Sequence, residues 1–96
     1  MAKFVVIYKD RVSKGLTLDL IKNHVERIKS LHKNGNLSLC GLLKKTDKAI
    51  LIFEAETYKD AKSYVLKDPL IETKHYNYEI YELNEANESN NWFLRD

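Results

Sequence analysis

The chain predicts a small α+β domain of ferredoxin-like pattern, β-α-β-β-α-β. Three observations lead there. Four runs rich in β-branched, aromatic and aliphatic residues occupy 3–8, 37–44, 49–54 and 76–83. Two segments with apolar residues at helical spacing separate the first run from the second and the third from the fourth. Only a short polar connection lies between the middle two runs, as a hairpin requires.

Residues 3–8, Lys-Phe-Val-Val-Ile-Tyr, form the first strand, and Lys9 to Lys14 a polar connector. From Thr17 to about Asn34 the period changes: Leu20, Ile21, His24, Val25, Ile28 and Leu31 recur at three and four residues, giving a helix with one buried face. Thr17 suits the N-cap, and Asp19 lies in the first turn, where the helix dipole favours an acid. Asn34-Gly35-Asn36 supplies a left-handed stop. Residues 37–44 alternate as a second strand, Lys45 to Lys48 close a hairpin, and Ala49 to Glu54 form the third strand. A second helix runs from Thr57 or Tyr58 to Leu66, with Ala61, Tyr64 and Val65 facing inward. Pro69 ends it by pushing Asp68 out of helical geometry, and Asp68 then caps a short turn that begins at Pro69. Tyr76 to Leu83 is the fourth strand. Residues 1–83 therefore form one domain. The tail, 84–96, is expected to be irregular from Asn84 to Asn91, with Trp92-Phe93-Leu94 either docked on an apolar surface of its own chain or of a partner, or part of a frayed terminus.

Two helices cover one side of a four-stranded sheet. Phe4, Val6 and Tyr8 point one way, and Val5 and Ile7 the other; in the third strand Ile50 and Ile52 oppose Ala49, Leu51 and Phe53. Both sets are apolar, whereas a solvated face reads polar. A homodimer joined through the second sheet face is the expectation. A domain of 96 residues buries only ~60–65% of its unfolded surface, and pairing adds to that.

Composition narrows the function classes. The chain is 44% hydrophobic and 31% charged, the profile of a globular domain. With 16 basic and 14 acidic residues the net charge is +2, too balanced for a nucleic-acid face. No apolar run approaches the ~20 residues of a membrane helix. Met1-Ala2-Lys3 leads directly into a strand with no secretory leader, and the lone Cys40 has no disulfide partner, so a cytoplasmic location is expected. Gly15, Gly35 and Gly41 are too scattered for a phosphate loop, and no cofactor fingerprint occurs. His24 and His32 are eight apart on different helix faces, so no metal signature forms with His75.

The candidate chemistry centres on His24 and Asp68. A histidine in an apolar stripe is either a structural residue bonded to backbone or a general acid/base. Asp68 is a cap, and a capping carboxylate keeps lone pairs for an imidazole. Gly41 marks either a bulge or a place where a ligand approaches the backbone. Cys40 reads as a small buried hydrophobe without an activating neighbour. His75, beside Lys74 at the start of the fourth strand, is a surface residue or a pocket lining, and Tyr8, Tyr76, Tyr78 and Tyr81 are sheet-packing residues or stacking surfaces for a planar ligand.

Phe4-Val5-Val6, His24, Gly35-Asn36-Leu37, Gly41, Lys67-Asp68-Pro69 and Tyr78-Glu79-Ile80-Tyr81, in that order and spacing, resemble the YCII-related (YciI-like) proteins over about residues 3–83. The resemblance implies a dimeric α/β-barrel of ferredoxin-like subunits, with a His-Asp site carried here by His24 and Asp68. Tyr8, Gly41 and His75 would contact substrate. At least one relative removes chloride from a hydroxylated aromatic compound, so acid/base chemistry of lyase or isomerase type on a small molecule is implied. Members often carry Pro after the strand-two glycine; Gly41-Leu42 departs from this and points to a different or lost substrate. Two rival functions stand beside the enzyme: a non-catalytic ligand-binding or sensing homodimer, and an RNA-binding module of the same topology. The second fails on residues 48–55, Lys-Ala-Ile-Leu-Ile-Phe-Glu-Ala, which lack the glycine and most of the aromatics of that motif.

Overall fold

The computed structural model describes residues 1–94 and places the elements as β1 (Ala2–Lys9), α1 (Leu18–Lys33), β2 (Leu37–Leu42), β3 (Ala49–Ala55), α2 (Tyr58–Leu66), α3 (Pro69–Glu72) and β4 (Asn77–Leu83), followed by a 3-10 helical segment, Glu88–Phe93. The four strands form one antiparallel sheet in the order β2-β3-β1-β4. The molecule is therefore a small α+β fold, with β1 and β3 as the inner strands of the sheet. None of its described helices is long and apolar enough to cross a membrane.

Local chemistry sets the element ends. Thr17 caps α1 by accepting from the Leu20 N–H at 3.2 Å. At the other end Gly35, at φ +82°, donates to the His32 carbonyl, and Asn36 donates to that of Leu31. This paired closure satisfies two orphan carbonyls and needs the positive φ that glycine adopts without strain. Thr57 caps α2 in the same way as Thr17. Strand β2 stops at Leu42, two residues before the expected end, because Leu43 turns to bond Lys48 and Lys45 takes a positive φ.

Alternation along β1 decides the core. Phe4, Val6 and Tyr8 are buried together with Leu51 and Phe53 of β3, and Ala61 and Val65 of α2 close over them. Tyr64, expected to face inward, is half-buried and packs its ring 5.7 Å from that of Phe53. On the opposite face Val5, Ile7, Ile50 and Ile52 are only half-buried, and Leu39, Tyr81 and Leu83 are exposed. Ion pairs lie along this face, Lys3 with Glu54 at 3.7 Å and Lys9 with Glu79 at 2.6 Å. Tyr81 also bonds Glu79. These contacts hold the Lys9 amine above, and the Glu79 carboxyl below, their ordinary ranges.

The tail differs from expectation. Asn87 accepts from the Ser89 N–H, while the Asn90 side chain accepts from the Asn87 N–H. This reciprocal cap organises the polar stretch into a helical turn. Trp92, Phe93 and Leu94 do not dock on their own chain: they are 63%, 48% and 69% exposed.

Candidate active site

Asp68 stands at the junction of α2 and α3, in the extended conformation that a residue before proline prefers. It is 2% exposed, and three donors satisfy its carboxylate. Oδ1 accepts from the Leu70 N–H at 2.9 Å. Oδ2 accepts from the Tyr8 hydroxyl at 2.7 Å and lies 2.8 Å from His24 Nδ1. A buried carboxylate is costly unless it is bonded in this way. The cap of a short helix thus also joins an inner strand and the first helix.

Tyr8 was expected to meet a ligand. It lines both pockets, and its hydroxyl donates to Asp68. Burial, reinforced by the negative charge of Asp68 and the bond to it, pushes the phenol far above its ordinary value, and the Arg27 cation pulls weakly the other way. Tyr8 therefore stays a protonated donor throughout the physiological range.

His24 sits on the same stripe of α1 as Leu20 and Ile28, with its side chain 21% exposed. An ionised carboxylate can only accept, so the proton of the Asp68 bond lies on Nδ1, and in the neutral ring the lone pair is then on Nε2. Nε2 has no hydrogen-bond partner among the described residues. The ring lines two adjoining pockets, of about 310 and 230 Å³, which share the walls Tyr8, His24, Leu42 and Ala49. The larger continues between Val25, Ile28 and Leu51 and is mostly apolar. The smaller holds Arg11, Ile21 and Tyr76. Val25 and Ile21 belong to the apolar stripe of α1 yet are 40% and 36% exposed, because they wall the cleft rather than the core.

Other residues fall elsewhere. Gly41 lines the larger pocket, and a Cβ there would meet nothing within 4 Å. The irregularity of β2 lies between Leu37 and Leu39, so Gly41 is not a bulge. Cys40, expected to be buried, is exposed, because edge strand β2 pairs only with β3; it too lines the larger pocket. His75 lines neither pocket. Both its nitrogens are engaged, Nδ1 with Thr73 Oγ1 at 2.6 Å and Nε2 with the Lys14 carbonyl at 3.2 Å, so it ties down the loop after β1. The sequence reading missed Arg27 and Arg11. Arg27 donates from Nη2 to the Tyr64 carbonyl at 3.0 Å and ties α1 to α2, while its buried Nε has no partner among the described residues. Its position three residues after His24 was the available signal. Arg11 had been counted only as part of a polar connector. Among the described residues, no three His, Cys, Asp or Glu side chains gather to hold a metal.

Two comparisons bear on this site. The model of the YCII-related domain matches residues 1–85. The solved structure of 5-chloro-2-hydroxyhydroquinone dehydrochlorinase (TftG) from Burkholderia phenoliruptrix AC1100, in complex with 2,5-dihydroxybenzoquinone, is similar, with a TM-score of 0.67 at 20% identity over 86% of this chain and 94% of that one. At that identity the likeness establishes the fold alone. Among curated proteins there is no significant match.

Proposed function

The chain belongs to the YCII-related domain family, and from that premise we propose that it binds a small, single-ring compound in the His24 cleft and acts on it by general acid/base catalysis of lyase or isomerase type. The observation that carries this reading is a histidine held through Nδ1 by a buried carboxylate, with Nε2 unpartnered, in a residue that walls two pockets. Nε2 takes a proton from an acidic C–H or O–H of the substrate. Asp68 fixes the tautomer and stabilises the imidazolium that forms. The proton then returns to another substrate atom, or a leaving group departs as its anion. A larger pocket of about 310 Å³ suits one substituted ring, since an apolar cavity of ~150 Å³ already holds benzene. The dehydrochlorinase of similar fold, bound to a dihydroxybenzoquinone, supports a hydroxylated ring as the first class to try.

The test is a turnover screen over hydroxylated monocyclic compounds, with and without halide substituents. Turnover by the wild type should fall by ~10²–10⁴ in His24→Gln, with an unchanged far-UV spectrum. A variant that turns over at the wild-type rate overturns the acid/base reading, and saturable binding with no turnover of any compound leaves a ligand-binding or sensing protein.

The same reading includes a ferredoxin-like subunit paired into a dimeric α/β-barrel through the face of Val5, Ile7, Ile50 and Ile52. Half-buried aliphatic residues flanked by ion pairs support it, because an apolar core with a polar rim is the anatomy of a protein interface. Sedimentation at micromolar concentration should give twice the 11.3 kDa chain mass, and a species of 11.3 kDa alone would refute it.

A further inference from the structure

We infer that the substrate is a monocyclic organic anion, with its ring in the larger pocket and its anionic oxygen on Arg11 in the smaller one. The inference rests on the acid/base reading for the location of the site and adds the charge of the ligand. Arg11 is exposed and lines the smaller pocket beside His24 and Tyr76. Its guanidinium has no hydrogen-bond or ion-pair partner among the described residues. Asp47, an acid bonded to this residue, takes the Arg11 main-chain N–H at 3.3 Å rather than the side chain. Arg11 is thus the cation of the cleft with its fork of donors left over. Such a fork matches the two oxygens of a carboxylate, or the oxygen of a phenolate beside a second oxygen.

The other walls agree. Val25, Ile28 and Leu51 of the larger pocket offer a ring no polar partner, so an anion placed there would lose its hydration without replacement. The two pockets share the His24 ring. A ligand lying across both therefore passes His24, with its apolar body in the larger pocket and its anionic oxygen in the smaller one. The anion also works with the chemistry: its charge offsets the imidazolium formed on proton transfer, and Arg11 stabilises the negative charge that develops on the substrate as its proton leaves.

The experiment measures binding, so it stands apart from turnover. Amide chemical-shift titrations compare 4-hydroxybenzoate with 4-hydroxybenzamide, which have nearly the same shape and differ in charge. The acid should bind about tenfold more tightly, with shifts at residues around His24 and Leu42. Arg11→Gln should erase the preference, Arg11→Lys should keep part of it, and added salt should shrink it. His24→Gln should keep the preference, so a failed turnover screen alongside a retained preference would remove the catalytic reading and leave this one. Equal binding of acid and amide, a preference that survives in Arg11→Gln, or no saturable binding of the acid overturns the inference.

Discussion

His24 and His75 lie in the same small fold and are both hydrogen-bonded, yet only one is available for chemistry. His75 is 7% exposed and spends both nitrogens, on Thr73 and on the Lys14 carbonyl. His24 spends Nδ1 on Asp68 and keeps Nε2. The difference does not come from burial, since both rings are largely enclosed. It comes from what is left over after the fold has been satisfied. An imidazole has two sites, and the fold around His24 fills one with a carboxylate that also sets the tautomer. Around His75 both are filled, and the ring becomes a strut.

The change with the largest expected effect removes the carboxylate that separates the two cases. Asp68→Ala leaves the Tyr8 hydroxyl, the Leu70 N–H and His24 Nδ1 without their acceptor, two of them in buried surroundings. A loss of about 3–5 kcal/mol in unfolding free energy is expected by denaturant titration, together with loss of turnover. A cost below about 1 kcal/mol would mean that the three bonds are not a stabilising unit.

Substituting the strut comes next. His75→Ala should cost about 1–2 kcal/mol in the same titration, because Thr73 and the Lys14 carbonyl each lose a partner, while leaving kcat at the wild-type value. The reverse pattern belongs to His24→Gln. If His75→Ala abolished turnover without loss of stability, the contrast drawn between the two rings would be wrong.

The smallest effect is present at neutral pH and shrinks in alkaline solution. Tyr8→Phe removes one of three donors to Asp68, for about 1 kcal/mol at neutral pH. The folded phenol ionises far above the unfolded one, chiefly because of burial. Above pH ~10 the unfolded chain loses that proton while the native chain keeps it, so the stabilisation is whole below pH ~10 and shrinks as pH rises further. The stability gap between wild type and Tyr8→Phe should therefore narrow above pH ~10 in parallel urea titrations. A gap constant from pH 8 to 11 would contradict a phenol held in its protonated form.

Much of the fold was legible in the chain. The helix bounds rest on Thr17, Thr57 and Gly35, each of which acts through neighbours a few residues away. The turn after Asp68 follows from Pro69 in the same local way. Other positions were misjudged for one shared reason. Val25, Ile21 and Cys40 are small or apolar, which reads as core, but α1 and edge strand β2 leave a cleft between them where such residues stay exposed. Trp92 to Leu94 were likewise assigned a surface that their own chain does not provide. Arg11 had no sequence signal beyond its charge.

The sequence by itself determined the order of the elements, their caps, the apolar character of both sheet faces and the presence of His24 and Asp68 at conspicuous places. These are matters of period and of hydrogen bonds closed within a turn. Only the tertiary structure decided that Asp68 meets Tyr8, 60 residues away, and His24, 44 residues away, on one carboxylate oxygen. It also decided that His75 is fully bonded and that His24 walls two pockets. No local rule relates groups so far apart along the chain. Their meeting depends on β1 being an inner strand of the sheet and on α1 packing against the short helix that Asp68 caps.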